Sequence, residues 1–259
     1  MERDEYARMF SLEEDYWWYR ALRRNLRRAL RRAGPLSAPG TPATCLDAGC
    51  GTGMLLQTLS SEMKAVGVDA SASALALARR RGLTRLARAG VEALPLRDAS
   101  CDVVISADVL YHRGVGDDVA ALREAARCLR PGGVLVLNLP AFGRLRSSHD
   151  AAIHTARRYT AAEVRRKLRA AGLAPLRVRY WNSLLFLPLA SVRLLRRRAS
   201  ARAPGSDLTP LPRWMNSSLR ALLALETALD FVPWPAGLSV MAVARKETRG
   251  AGRGENREA

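Results

Sequence analysis

Lysine is almost missing from this chain: of its 42 Lys and Arg residues, all but Lys64, Lys167 and Lys246 are arginine. The formal charge of +18 would suggest nucleic acid or anionic lipid as a partner. An arginine bias of this kind matches a GC-rich coding sequence as readily as ligand selection, so solvated arginine on helix faces is the plainer reading. Cysteine is scarce too. Cys45, Cys50, Cys101 and Cys128 form no CxxC or Cys/His pattern of a zinc site, and three of them sit beside apolar residues where a thiol behaves as a small hydrophobe. This points to a reduced, cytoplasmic setting. No apolar run approaches the roughly 20 residues that span a bilayer, and Met1–Phe10 is charged, without the apolar region of a secretory signal. At 48% hydrophobic residues, the 259-residue chain is long enough to bury a substantial core.

From Thr44 onward short apolar runs alternate with helical patterns, as βαβ units require. The runs are Thr44–Ala48, Ala65–Val68, Thr84–Ala89, Val103–Ala107 and Val134–Leu139; the helical segments are Met54–Glu62, Ala72–Arg81 and Val119–Leu129. "RPGG" at Arg130–Gly133 reads as a helix stop and turn. The prediction is an α/β fold with a doubly wound sheet. Upstream, residues 1–34 hold an amphipathic helix, with Trp18, Leu22, Leu26 and Leu30 on one stripe, ending at Gly34-Pro35. Residues 248–259 read as a disordered tail.

The most specific stretch is "TCLDAGCGTGMLL", Thr44 to Leu56. Asp47 ends a strand, and Gly49, Gly51 and Gly53 form the turn that opens a helix, where a ligand approaches the backbone closely. A dinucleotide fingerprint would be G-x-G-x-x-G; here the spacing is G-x-G-x-G, with an acid just before it. That acid would repel a pyrophosphate but attract an ammonium. Asp69 in "VGVDAS", at the end of the second strand, stands where an acid accepts ribose hydroxyls, with an N-cap of the next helix as the competing role. An amino-acid head, a ribose and no phosphate together describe S-adenosylmethionine.

These motifs, with "LRPGG" before the fifth strand, resemble the class I S-adenosylmethionine-dependent methyltransferases with an "LDxGCGTG" first motif, over roughly residues 44–139. The resemblance implies a Rossmann-like sheet of seven strands, the last antiparallel, over residues 44–247. It implies cofactor contacts at Asp47, Ala48, Gly49, Gly51, Gly53, Asp69, Ala70, Val91, Glu92, Ala107 and Asp108. Family members commonly carry an acid where this chain has Gly90 and an aromatic where it has Cys101, which bears on the adenine contacts at Val91 and Glu92.

For the acceptor, the three histidines are the candidate bases: His112 after the fourth strand, with a structural role equally open to it, and His149 and His154 in "SSHDAAIHTARRYT". Asp150, Arg157, Arg158 and Tyr159 in that segment, with Trp18 and Tyr111, are candidate acceptor contacts; a plain polar loop capped by Thr160 competes with this reading. No metal is required for the transfer. The absence of "NPPY" or "DPPY" after the fourth strand disfavours amino methylation of DNA bases, and no Pro-Cys context supports a covalent cysteine route.

A sixth strand at "GLAPLRVRYW" and a last one at Gly237–Glu247 leave residues 182–236 as a helical insert, expected to cap the site. Within it, "NSLLFLPLASVRLLRRR" is too short to span a bilayer; burial against the domain is favoured, with shallow membrane contact through 184–198 open. The leading expectation is a methyltransferase for a small-molecule or lipid- or isoprenoid-linked acceptor. The alternatives are an RNA methyltransferase, with nucleic acid the less favoured partner, and a noncatalytic cofactor-binding scaffold.

Overall fold

The computed structural model describes residues 3–145, 154–191 and 209–248. Seven strands form one mixed sheet in the order β3-β2-β1-β4-β5-β7-β6: β1 Thr44–Ala48, β2 Lys64–Asp69, β3 Leu86–Arg88, β4 Cys101–Ala107, β5 Leu129–Pro140, β6 Leu173–Trp181 and β7 Ser239–Lys246. The first five run parallel, and β7 is antiparallel to β5 and β6. This is the Rossmann-like topology expected. Strands β1 and β4 are buried along nearly their whole length, as strands covered on both faces must be, which is why they read as continuous apolar runs.

Helices α1 Arg3–Leu12, α2 Trp17–Arg32, α3 Met54–Leu59, α4 Ala72–Arg80, α5 Asp118–Cys128, α6 Ala161–Ala170 and α7 Arg213–Ala228 surround the sheet. One face packs against Leu122 and Ala125 of α5 and Val164 and Leu168 of α6. The other packs against Leu22, Leu26 and Leu30 of α2, Leu56 and Leu59 of α3 and Leu223 of α7. Helix α2 forms because its apolar residues recur at three- and four-residue spacing, while Arg31 and Arg32 meet the negative end of the helix dipole.

The N-terminal region holds one helix more than expected: α1 precedes α2, and the break between them falls at residues 13–16. "RPGG" follows the end of α5 at Cys128, as expected of a helix stop, and lies within β5: the pairing runs from Cys101–Leu129 to Val103–Val134, so Arg130–Gly133 bulge out of register, with Gly132 at φ 79°.

Of the insert, residues 182–191 and 209–236 are described. Leu185, Phe186 and Leu189 pack with Leu145 and Leu238, whereas Leu187 is exposed; residues 192–198 lie outside the described residues, as does nearly all of the expected tail. Helix α7 buries Leu223, Glu226 and Thr227, with Met215, Leu219 and Leu222 of the expected apolar face half-buried beside them. Polar side chains face inward because they have partners: Glu226 Oε2 accepts the amides of Ser183 and Leu184 at 2.8 and 3.1 Å, and the Thr227 hydroxyl donates to the Leu223 carbonyl. Helix α7 also serves α2 directly. Asn216 Oδ1 accepts the Trp17 N–H at 2.8 Å, supplying the N-terminal cap that Tyr16 lacks.

Candidate active site

The C-terminal ends of β1, β2, β4 and β5 bring Asp47, Asp69, Asp108 and Asn138 to one edge of the sheet. The turn after β1 holds Gly49, Gly51 and Gly53 at φ 91°, 53° and 86°, the left-handed region that favours glycine. Protein neighbours demand glycine here as well. A Cβ on Gly49 would stand 2.1 Å from Val109 Cγ2, and one on Gly51 would stand 3.0 Å from Met9 Cε of α1.

Asp69 is fixed by two amides: Gly51 N–H donates to Oδ2 and Ser71 N–H to Oδ1, each at 2.8 Å. The cap of α4 is Ser71, whose hydroxyl accepts from Ala74, so the helix-capping role falls to that residue. Each Asp69 oxygen keeps a second lone pair for a hydroxyl donor. Asp47 is 2% exposed, and among the described residues its Oδ2 has no hydrogen-bond partner. Burial, then the neighbouring charges of Asp69 and Glu13, push its carboxyl up to about 7.

Helix α1 lies over this edge. Glu13 is buried, accepts from the Thr52 hydroxyl and pairs with Arg81 at 2.8 Å. Arg81 also donates to the carbonyls of Phe10 and Thr52 and stacks over the Phe10 ring, fastening α1 to the glycine turn. Burial raises the Glu13 carboxyl, as it does the Tyr6 and Tyr19 hydroxyls; Asp69 acts on Tyr6, and Glu13 and Asp108 act on Tyr19. Sequence reasoning passed over Tyr6, Met9 and Glu13, although with Phe10 they recur at three- and four-residue spacing.

Asp108 has φ 60°, a strained backbone for a residue with a Cβ. Burial pushes its carboxyl up to about 7, opposed by hydrogen bonds from Asn138 Nδ2 at 3.0 and 3.1 Å. The Asn138 amide is oriented in turn by the Trp181 indole, which donates to its Oδ1 at 2.7 Å, and Trp181 stacks on Trp18 with ring centres 4.8 Å apart. Asn138 and Trp181 were also missed; both sit in strands that read as ordinary core.

Ala48 is buried and Ala107 partly so, while Ala70 is exposed, its carbonyl accepting from Arg88. Val91 packs in the core, and Glu92 accepts the amides of Gly116 and Asp117, tying two loops together. His112 stacks on Tyr111 at 4.6 Å and bridges to Thr155. His154 follows at φ 55°; His149 and Asp150 lie outside the described residues. Arg157 pairs with Asp118 at 3.0 Å, and Arg158 donates to the Ala141 carbonyl. Tyr159 departs from its expected role at the acceptor site. It is 1% exposed, and its hydroxyl, 3.0 Å from both the Leu110 carbonyl and Asp118 Oδ2, shares its proton inside the core.

An edge of buried carboxylates, one with an unpartnered oxygen, favours a cation. The ammonium and sulfonium of S-adenosylmethionine meet that demand, and the fixed Asp69 suits its ribose. Fold and site define a Rossmann-like methyltransferase. The methyltransferase-domain family model matches residues 46–137. A malonyl-[acyl-carrier protein] O-methyltransferase of Dechloromonas aromatica is 33% identical over 208 residues, 76% of each chain. A 37.1 kDa protein of transposon TN4556 from Streptomyces fradiae is 39% identical over 110 residues, 39% of this chain and 31% of its own. Among solved structures, a SAM-dependent methyltransferase of Thermotoga maritima shares the fold, with TM-score 0.55, 20% identity and coverage of 94% of this chain and 95% of that one. The chain belongs to the class I S-adenosylmethionine-dependent methyltransferases, and S-adenosylmethionine is its cofactor.

Proposed function

We propose that the chain methylates a small-molecule or lipid- or isoprenoid-linked acceptor by in-line transfer. The carrying observation is the buried, unpartnered oxygen of Asp47 beside Asp69 and Glu13. In this reading Asp47 holds the cofactor's ammonium, directly or through water, Asp69 takes the ribose hydroxyls, and the glycine turn with Ala48 and Ala70 seats the backbone side. Val91 and Glu92 flank the adenine. When bound, the cofactor supplies an electrophilic methyl group on its sulfonium. The protein holds the acceptor in line and excludes water. Helix α1 and the Trp18–Trp181 stack close the site, Tyr111 contributes an acceptor wall, and Arg157 and Arg158 stand beyond it. His112 is the described base closest in the chain to Asp108; His149 and His154 remain candidates for a hydroxyl or acid acceptor.

The negative charge of this edge disfavours a polyphosphate backbone and supports a small acceptor over RNA. The relative named for malonyl-[acyl-carrier protein] supports the same choice. Exposed Leu187 favours a peripheral membrane contact of the insert as the route for a lipid-linked acceptor. The test offers cofactor with a labelled methyl group to soluble metabolites, lipid extract and RNA in separate reactions. Label in the metabolite or lipid pool is expected; label in RNA alone overturns the acceptor class. Cofactor bound without transfer to any pool supports the scaffold reading instead. Binding unchanged by Asp69→Ala and Gly51→Val refutes the assigned cofactor contacts.

A further inference from the structure

The seam between α2 and the edge strand β6 has two chemically different ends. At the catalytic edge lies the Trp18–Trp181 stack. Toward the other end of β6, side chains alternate so that Trp181, Arg179 and Arg177 share one face. There the seam opens into a cavity of about 370 Å³, lined by Asn25, Arg28 and Arg32 of α2, Arg177 and Arg179 of β6, and Asp230, over an apolar floor that includes Met241 and Val243.

Among the described residues, four guanidinium groups and one carboxylate, Asp230, line this cavity, and the Glu226 carboxylate acts on Arg179 from outside the lining. Asp230 is 2% exposed and is shared among Arg28 at 3.1 Å, Arg177 at 3.2 Å and Arg32. Arg179 donates instead to the Asn25 amide oxygen at 3.2 Å, and among the described residues no carboxylate pairs with it. Burial, with Arg177 second, pushes its guanidinium down to about 10. The charge excess therefore sits in a partly desolvated place, where an added anion is attracted most strongly. Guanidinium forks match the oxygens of a phosphate two at a time. The volume exceeds what an inorganic phosphate needs. Apolar surface is at hand: Leu176 lines the cavity and is 51% exposed, and Phe231, next in the chain to Asp230, is 75% exposed.

We propose that this cavity is a second binding site, for the phosphate or diphosphate group of a small molecule or of a lipid whose apolar part rests on Leu176 and Phe231. It lies part-way down the sheet face, away from Asp47 and Asp69, and does not depend on the acceptor proposed for the catalytic edge. Arg179 and Arg32 are the residues to change, because they leave Asp230 paired with Arg28 and Arg177.

Inorganic pyrophosphate is titrated calorimetrically into the full chain, and vesicles of phosphatidylcholine with or without phosphatidate are sedimented with it. Saturable pyrophosphate binding that weakens about tenfold in Arg179→Gln and severalfold in Arg32→Gln supports the site with a free phosphate compound as its occupant. Phosphatidate-dependent sedimentation, reduced by both variants and by Phe231→Ser, supports it with a lipid headgroup. Absence of both, or binding equal in the wild type and both variants, overturns it. Arg32 is a half-exposed surface residue, so its variant keeps the test decisive where Arg179→Gln does not fold. S-adenosylmethionine binding, measured alongside, should be unchanged by either substitution, which separates failure here from failure of the catalytic reading.

Discussion

Cofactor affinity should rise steeply with pH between about 5 and 7, and Asp47 sets the size of the effect. In the folded chain its carboxyl lies at about 7 against an ordinary 3.8. Because the folded value is raised, the ligand-free fold holds this proton more tightly than the unfolded chain does, and ionising Asp47 costs stability as pH climbs from about 4 to about 7. A bound ammonium favours the ionised form and draws the carboxyl back down, so below pH 7 binding must release the proton. With full return to 3.8, binding at pH 5 is roughly fifty-fold weaker than at pH 7, about 2.3 kcal/mol. Over this range the ligand's own ammonium, with an α-amino value of about 7.7–8.0, stays charged, and the slope reports on the protein. Calorimetric titration of S-adenosylmethionine in buffers of different ionisation enthalpy gives both affinity and proton count. Release of up to one proton from Asp47 near pH 5–6 is expected, with weaker binding and a shallower pH slope in Asp47→Asn, where Asp108 still titrates at the same edge. Affinity independent of pH in the wild type, or net proton uptake, would refute Asp47 as the cation's partner.

Arg81→Ala should leave Glu13 buried without its cation, at a cost of about 3 kcal/mol that detachment of α1 limits; hydrogen exchange should quicken across Arg3–Leu12 and cofactor affinity should fall. In Gly49→Ala the left-handed backbone costs about 1–2 kcal/mol and the contact with Val109 about 1–3 more, read as a lower urea midpoint. Trp18→Ala should remove about 2–3 kcal/mol by loss of packing and ring stacking, with transfer rate reduced through Asn138 and Asp108 more than cofactor affinity. Tyr159→Phe should cost about 1–3 kcal/mol, because the Leu110 carbonyl and Asp118 carboxylate lose a buried donor, without changing KM for the acceptor; a raised KM at unchanged stability would restore Tyr159 to the acceptor site.

The parallel half of the fold was legible because buried parallel strands leave apolar runs, and the helices between them leave a 3.6-residue period. The "LDAGCGTG" stretch marked the glycine turn after β1, and "VGVDAS" placed Asp69 at the end of β2, since both are local. What escaped was carried by residues that look ordinary in their own segments. Glu13 reads as a surface acid until Arg81 and Thr52, far along the chain, bury it. Asn138 is one polar residue in an apolar strand until Trp181 and Asp108 occupy its two ends. Tyr159 erred the other way, with a polar neighbourhood in sequence and a place in the core.

By itself, then, the sequence determined the sheet, the glycine turn and the cofactor, because backbone periodicity and left-handed glycine positions are written within a few residues. Tertiary structure alone decided that α1 covers the site and that Asp47 keeps a buried oxygen unpaired. It also gathered four arginines from two elements around one aspartate. Those are matters of burial and of distance between remote segments, and a charge acquires its energy only when folding has fixed what surrounds it.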